Sequence, residues 1–343
     1  LKTTAEYIME LGDRNIEVIG EYKGRQLPLV HKCTVCGNLW EATPNNTIGN
    51  LSGCPVCAKN KLRSNSEEEL TKFIQSVYPG WVELNDRSIL GGKELDILLP
   101  DLGIAIEFNG TYWHREALVG RNYHLNKTIG VENFGYRLIH INEDEWIHKQ
   151  HIVKSRLESL VGTSVKIAAR KCVIRQVSPD DASLFLVANH IQGTCVSKYR
   201  YGLYLDSRLV AIMTFGTPRF NSVYNYELLR YCSILGSTVI GGASKLLRAF
   251  TKSNIGTIIS YADRRWSTGN LYMKLGFRFS HFTDPSYRYY KGLDSLSRHQ
   301  CQKHLLVQQG YDINSTEVEI MQHRGYHRVF DCGNSAWVLE DNK

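Results

Sequence analysis

The sequence predicts a multi-domain α/β protein, on three observations. Two Cys-x-x-Cys pairs fall within the first 57 residues. Between residues 64 and 147 the apolar pattern runs helix, hairpin, helix, strand, the order of a small mixed sheet. From Cys172 onward short strands alternate with helices, and the charge balance changes sign. A chain of 343 residues exceeds one typical domain. The boundaries expected are 1–62 for a metal-bound module, 63–160 for an α/β core and 161–343 for a basic α+β domain with a C-terminal extension.

The front module opens with a helix over Thr3–Leu11, then strands at Ile16–Tyr22 and Leu27–His31. Cys33-Thr-Val-Cys36 and Cys54-Pro-Val-Cys57 follow, separated by seventeen residues. Each knuckle turns two sulfurs to one point, so Cys33, Cys36, Cys54 and Cys57 form a tetrahedral Zn²⁺ set. So small a module depends on its metal to fold. Lys32, Lys59, Lys61 and Arg63 beside the knuckles add a DNA-contacting surface. The other cysteines (Cys172, Cys195, Cys232, Cys301, Cys332) are scattered singly, as in a reducing compartment.

Ser64-Asn-Ser-Glu67 reads as a capping box, and Leu70, Phe73, Ile74 and Val77 recur at helical spacing, so a helix covers Glu67–Tyr78. Pro79-Gly80 ends it. Strands at Glu94–Leu99 and Ile104–Phe108 join through Pro100-Asp-Leu-Gly103; a helix at Tyr123–Phe134 leads to a third strand, Tyr136–Ile141. Asp96 and Glu107 stand inside apolar strands, where a carboxylate is costly unless it is paired or holds a metal. If the hairpin pairs about its short turn, both acids meet at one end of the sheet. Two such groups can hold Mg²⁺ against a phosphodiester, with His114 placed to take a proton from the attacking water. His124 and Lys127 share a helix face, and Lys127 can meet the charge of the transition state.

The run Glu94-Leu-Asp96-Ile, then Ile106-Glu107-Phe-Asn-Gly110-Thr-Tyr-Trp-His114, resembles the very-short-patch-repair (Vsr-like) endonucleases. It is more closely similar to phage homing endonucleases of the EDxHD type, within the PD-(D/E)xK superfamily. The resemblance covers residues 64–147, including Leu138-Ile-His-Ile-Asn-Glu-Asp-Glu-Trp146. It implies Mg²⁺-dependent, site-specific hydrolysis of double-stranded DNA, with Glu67, Asp96 and His114 in the family's catalytic positions. Two departures stand out. Asn109 occupies the place of the family's ExK lysine, which leaves Lys127 as its substitute, and Glu68 and Glu69 adjoin Glu67.

Residues 1–162 carry 18 Lys/Arg and 21 Asp/Glu; the remainder carry 23 and 13, giving +7 for the chain. A basic second half points to a polyanion. Strands at Tyr201–Leu205 and Leu209–Phe215 form a hairpin about Asp206-Ser207, with further strands at Asn225–Cys232 and Thr257–Tyr261. Gly241-Gly242-Ala-Ser244-Lys245 opens a helix whose N–H groups can face an anion. With Leu271-Tyr-Met-Lys-Leu-Gly-Phe277, residues 172–291 resemble the GNAT-like acetyltransferase fold, which implies an acyl-CoA site at the glycine turn as an alternative to DNA contact. The expected DNA contacts here are Arg200, Arg219, Lys245, Arg264, Arg265 and the stacking Trp266. The tail is expected to hold a helix at Thr316–His323 and a hairpin of His327–Cys332 with Ser335–Leu339.

No apolar run is long enough to span a bilayer, so the expected setting is the cytoplasm of a bacterial host cell, the gene itself being of phage origin. Two other functions stay open at this point: an acyl-CoA-dependent DNA- or nucleobase-modifying transferase with an accessory nuclease domain, and a non-catalytic DNA-binding protein.

Overall fold

A computed structural model of the chain describes residues 2–12, 14–34, 37–49, 52–55, 65–111 and 114–340. It divides into two compact units, Leu1–Glu69 and Leu70–Lys343.

In the first unit, α1 (Thr4–Leu11) begins with a reciprocal capping box between Thr3 and Glu6. Tyr7 and Leu11 pack with Leu29 against β1 (Ile16–Ile19), β2 (Leu29–Cys33) and β3 (Leu39–Ala42), an antiparallel sheet in that order. The second strand lies two residues later than the sequence pattern indicated, and β3 was not anticipated. Inside, the Tyr7 hydroxyl meets His31 Nε2 at 2.7 Å and Thr47 Oγ1 at 2.6 Å, which ties three buried polar side chains together. Cys33 and Cys54 are buried, and Asn38 Nδ2 donates to Cys54 Sγ at 3.8 Å. Cys36, Cys57, Lys59, Lys61, Arg63 and the N-cap Ser64 lie outside the described residues.

The second unit starts within α2 (Asn65–Val77). Its first sheet has the order β4 (Glu83–Leu90), β5 (Lys93–Leu99), β6 (Ile104–Asn109), β7 (Arg137–Asn142). The first three strands are antiparallel, and β6 and β7 are parallel, linked by α3 (Glu116–Val119) and α4 (Tyr123–Asn133). Beyond β7 come α5 (Glu143–His148) and α6 (Gln150–Val161). Leu70 and Ile74 of α2 and Ile152, Val153 and Leu157 of α6 cover one face through Ile97, Ile106, Ile139 and Ile141. Val131 of α4 covers the other through Leu98, Ala105 and Leu138. Two covered faces explain the nearly continuous apolar runs of β6 and β7.

After β8 (Val165–Ala168) the chain builds a seven-stranded sheet. Its members are β9 (Val173–Gln176), β10 (Tyr199–Leu205), β11 (Arg208–Gly216), β12 (Tyr226–Ser233), β14 (Ile258–Asp263), β15 (Arg278–Phe282) and β19 (Asn334–Leu339). The spatial order is β15-β19-β14-β12-β11-β10-β9, and β12 with β14 is its single parallel pair. The β10–β11 hairpin turns through Asp206 (φ 47°) and Ser207 (φ 69°), the left-handed pair that matches strand twist. α7 (Pro179–Asn189) packs on one face; β13 (Ser237–Ile240) leads to α8 (Gly242–Thr251) on the other, where Phe250 stacks on Phe215 at 3.7 Å.

The expected tail hairpin does not form. β16 (Tyr287–Lys291), β17 (Asp294–Ser297) and β18 (His327–Phe330) make a separate sheet in the order β17-β16-β18, while β19 inserts between β14 and β15. Gly333 (φ 78°) redirects the chain between them, and a Cβ there would stand 2.4 Å from the Thr283 carbonyl oxygen.

Residues 264–266 join the two sheets. Arg265 is largely enclosed: its guanidinium bonds Glu145 of α5 at 3.1 Å and Asp263 at 2.9 Å, and its carbonyl accepts from His140 N of β7. Arg264 pairs with Glu132 of α4 at 2.8 Å, and the Trp266 carbonyl accepts from Arg137. Arg264 (7% exposed) and Trp266 (5% exposed) are buried as well. The expected DNA-stacking surface is therefore an internal seam, because two carboxylates distant in sequence claim its charges. Arg265→Ala strands both Glu145 and Asp263, and the expected loss is about 3–5 kcal/mol. Urea unfolding measures it; an unchanged midpoint with weakened DNA binding would return Arg265 to the surface role.

Candidate active site

The β5–β6 ladder pairs Ile97 with Ile106, Leu98 with Ala105 and Leu99 with Ile104. One step further along this register sets Asp96 opposite Glu107. Directly opposed residues project from the same face of a sheet, so both carboxylates point to the α4 side. Asp96 Oδ2 accepts from Phe108 N at 2.7 Å. Glu107, 4% exposed, forms an ion pair with Lys127, itself 8% exposed. Burial works against the Lys127 ammonium, but the charges of Glu107 and Asp96 hold its pKa above the ordinary value. Burial, followed by the same two carboxylates, also lifts the neighbouring Tyr123 phenol.

Beside this charged pair lies a chain of imidazoles. His114 Nδ1 is 3.0 Å from His124 Nε2, with the rings stacked at 5.0 Å. The Phe330 carbonyl, from the edge of β18, bonds the other side of His124. A carbonyl only accepts, so His124 carries its proton on Nδ1 and accepts on Nε2 from His114 Nδ1–H. That leaves the His114 Nε2 lone pair unused by this chain of bonds. His140 on β7 is oriented by Thr128 Oγ1 at 2.8 Å and Asn109 Nδ2 at 3.3 Å, and its ring stands edge-on to His124 at 5.3 Å. Burial, with the neighbouring imidazole and Lys127, lowers His114 to about 3; burial first lowers His124 to about 4 and drives His140 well below its usual range. All three rings are neutral at physiological pH.

The C-terminal sheet covers this cluster. His327 Nε2 lies 3.0 Å from the Thr111 carbonyl oxygen, and Arg328 pairs with Glu116 at 2.7 Å. A cavity of about 50 Å³ remains between Asn109, His124, His140 and Asn142 on one side and Arg288, Tyr290 and Phe330 on the other. The sequence pattern singled out neither this cover nor His140, and it marked Asn109 only as the residue in place of the ExK lysine. His140 left a trace, as the one polar residue inside the Leu138–Ile141 apolar run.

Asp96, Glu107, His114, His124 and Lys127 are thus brought together. Glu67 lies in the first turn of α2, half-buried, on the Leu1–Glu69 side of the division. Among the described residues no three His, Cys, Asp or Glu side chains converge as a closed metal cage. Mg²⁺ does not require one, since it commonly takes one or two carboxylates and completes its shell with water and substrate phosphate. Asp96 and Glu107 with Lys127 carry a net −1 on a single face, a donor set that fits such an ion.

The remaining basic candidates are engaged elsewhere. Arg200 donates to the carbonyls of Val177 and Ser197. Lys245 donates to Ala169 O at 2.9 Å and Cys172 O at 2.6 Å, so it closes a turn instead of facing a duplex. Arg219 pairs with the buried Glu227, its Nε at 3.0 Å, and keeps an exposed side chain. The glycine turn also has a packing cause: a Cβ at Gly242 would meet Tyr231 Oη at 2.9 Å and Val239 Cγ1 at 3.0 Å. Among the described residues no helix is long and apolar enough to cross a membrane.

No protein-family model matches the chain. Over 75 residues, 22% of its length, it is 32% identical to a protein of Escherichia phage T5 named "Putative endonuclease". The match spans 26% of that protein, so the chain covers about a quarter of this relative.

The neutral imidazoles fix a pH dependence of stability. Each has a folded pKa below its unfolded value near 6.5, so its contribution is intact above that pH and is lost as pH falls toward 4. His190, lowered by burial, acts in the same sense. Asp331, raised by burial and Asp263 to about 6, acts in the opposite sense below pH 6. With His31, also lowered by burial, five groups against one predict a lower urea midpoint at pH 5 than at pH 7.5; a midpoint that rises on acidification contradicts the neutral network.

Proposed function

We propose that this chain is a Mg²⁺-dependent, site-specific endonuclease of the homing type, acting on double-stranded DNA. The observation that carries the proposal is the β5–β6 register. Carried one step past Ile97 and Ile106, it brings Asp96 level with Glu107, beside a buried lysine and an oriented, neutral histidine pair. The partial similarity to the phage T5 protein supports a nuclease-like activity.

Asp96 and Glu107 would hold Mg²⁺, which when bound screens phosphate charge and makes a water molecule more acidic. The chain's own groups do the rest. His114 Nε2 accepts the proton of the attacking water, and arrival of the DNA phosphate raises its proton affinity from the low value of the unliganded site. His124 and the Phe330 carbonyl keep that imidazole in the required tautomer. Lys127 supplies the cation that Asn109, two residues after Glu107, cannot supply. Glu67 is the third acid, by its resemblance to the family position.

In the front module, Cys33, Cys36, Cys54 and Cys57 would hold a structural Zn²⁺. Cys33 and Cys54 are both buried, and Asn38 Nδ2 donates to Cys54 Sγ, so these two sulfurs lie inside the module as structural ligands would. The acyl-transfer alternative has less support, because β8 pairs with β13 ahead of the glycine turn and Lys245 is spent on carbonyls beside it.

Plasmid and phage DNA incubated with Mg²⁺ are expected to be cut, and EDTA to stop the cutting. Asp96→Asn and His114→Ala are each expected to slow it by about a hundredfold or more at unchanged circular dichroism. Cutting that persists in both folded variants rules the site out. The second check is on zinc: the purified chain is expected to hold one equivalent, and Cys33→Ser to lose it together with cooperative melting of the first unit.

A further inference from the structure

The parallel pairing of β12 with β14 stops early. Tyr226, Glu227 and Leu228 face Ile258, Ile259 and Ser260, yet β12 continues to Ser233 and β14 to Asp263. Past the last pair a cavity of about 220 Å³ opens between the two strands, lined by Leu229–Tyr231 on one side and Tyr261–Asp263 on the other. It shares no residue with the carboxylate and histidine cluster.

Its wall is rich in donors. Arg156 reaches in from α6 with its guanidinium 4.5 Å over the Trp266 ring, and Arg230 comes from β12 itself. Arg156 Nε and Trp266 Nε1 are both buried with no hydrogen-bond partner, and Trp266 is only 5% exposed. Neither arginine takes part in an ion pair among the described residues, and Arg230 bonds only the carbonyls of Gly193 and Leu229. The one carboxylate on the wall, Asp263, is already held by Arg265 at 2.9 Å. Buried donors are almost always satisfied in native proteins. The unpartnered Arg156 Nε and Trp266 N–H, with the Arg230 guanidinium beside them held by two backbone carbonyls alone, call for an anionic ligand rich in acceptors. The rings of Tyr261 and Trp266 call for a flat one.

We propose that this cavity binds a single nucleotide unit, its base against Tyr261 and Trp266 and its phosphate against Arg156 and Arg230. The volume is below that of sites for drug-sized ligands and suits one residue, not a strand. The unit can be a free mononucleotide or a nucleotide swung out of a duplex. The second source rests on the DNA-cutting proposal above.

The test uses the full chain carrying Asp96→Asn, without Mg²⁺, so that binding is read apart from cleavage. Calorimetry would follow the four deoxynucleoside monophosphates, inorganic phosphate, a deoxynucleoside, coenzyme A, and duplexes with and without one mismatched pair. Mononucleotides are expected to bind more tightly than phosphate or nucleoside alone. Arg156→Gln is expected to weaken this at least about tenfold, the size of one lost charged hydrogen bond. Leu271→Trp, a rim change at a partly exposed position that fills the cavity, is expected to abolish it with an unchanged melting temperature. Preference for the mismatched duplex, lost in Leu271→Trp, identifies the extruded nucleotide as the source; mononucleotide binding without that preference identifies the free one. Absence of nucleotide binding, binding indifferent to Leu271→Trp, or binding of coenzyme A alone overturns the proposal. Wild-type cleavage measured in parallel shows whether the nuclease proposal stands when this one fails.

Discussion

A charge removed from water must be met by an opposite charge or by a set of aligned dipoles, and that constraint organises the second unit twice over. Glu107 is tolerated inside a four-stranded sheet because Lys127 reaches it from the covering helix. Arg265 is tolerated at the junction of two sheets because Glu145 and Asp263 close around it. The first pair belongs to the candidate site and the second to the framework, and they differ in what lies beside them. Next to Glu107 stand another acid and a row of neutral imidazoles, whereas Arg265 is saturated by its own partners. A saturated charge has nothing left for a ligand; one with an excess of acid beside it does.

Local pattern made much of this fold legible. The α2 helix, the β5–β6 hairpin and β7 carry strong apolar periods, and the short Pro100–Gly103 turn was enough to bring Asp96 level with Glu107. The Asp206-Ser207 turn likewise announced its hairpin. What escaped notice lacked such a period. β4 holds Asn85 at positive φ and bends around Asp86, whose carboxylate accepts from Ser88 and Ile89, so its residues never alternate cleanly. The tail failed for another reason. Gly333-Asn334 between two strand-like runs is a sound hairpin signal, but the runs found better partners in two different sheets, and such long-range pairing leaves no mark in either run alone.

The basic residues show where composition stops being informative. A surplus of arginine and lysine in the second half pointed to a polyanion, yet Arg200, Lys245, Arg264 and Arg265 are consumed by carbonyls and carboxylates of the same chain. Arg265 meets a glutamate 120 positions away. Arg156 and Arg230, two of the arginines with no ion pair among the described residues, were given no special place, because nothing in their neighbours distinguishes them until the strands part. The site histidines were easier to find: His114 and His124 sit beside the acidic strands in sequence as well as in space. Even there, the carbonyl that sets their tautomer comes from Phe330, some two hundred residues downstream.

That distance bears on how the chain matures on the ribosome. β19 fills the slot between β14 and β15, and β18, just ahead of it, brings the Phe330 carbonyl to His124. A nascent chain stopped before residue 330 has its acids and histidines but no cover to orient them, and one stopped before 339 leaves a gap in its largest sheet. The geometry of the acid and histidine cluster is therefore complete only after synthesis has passed almost all of the residues described here.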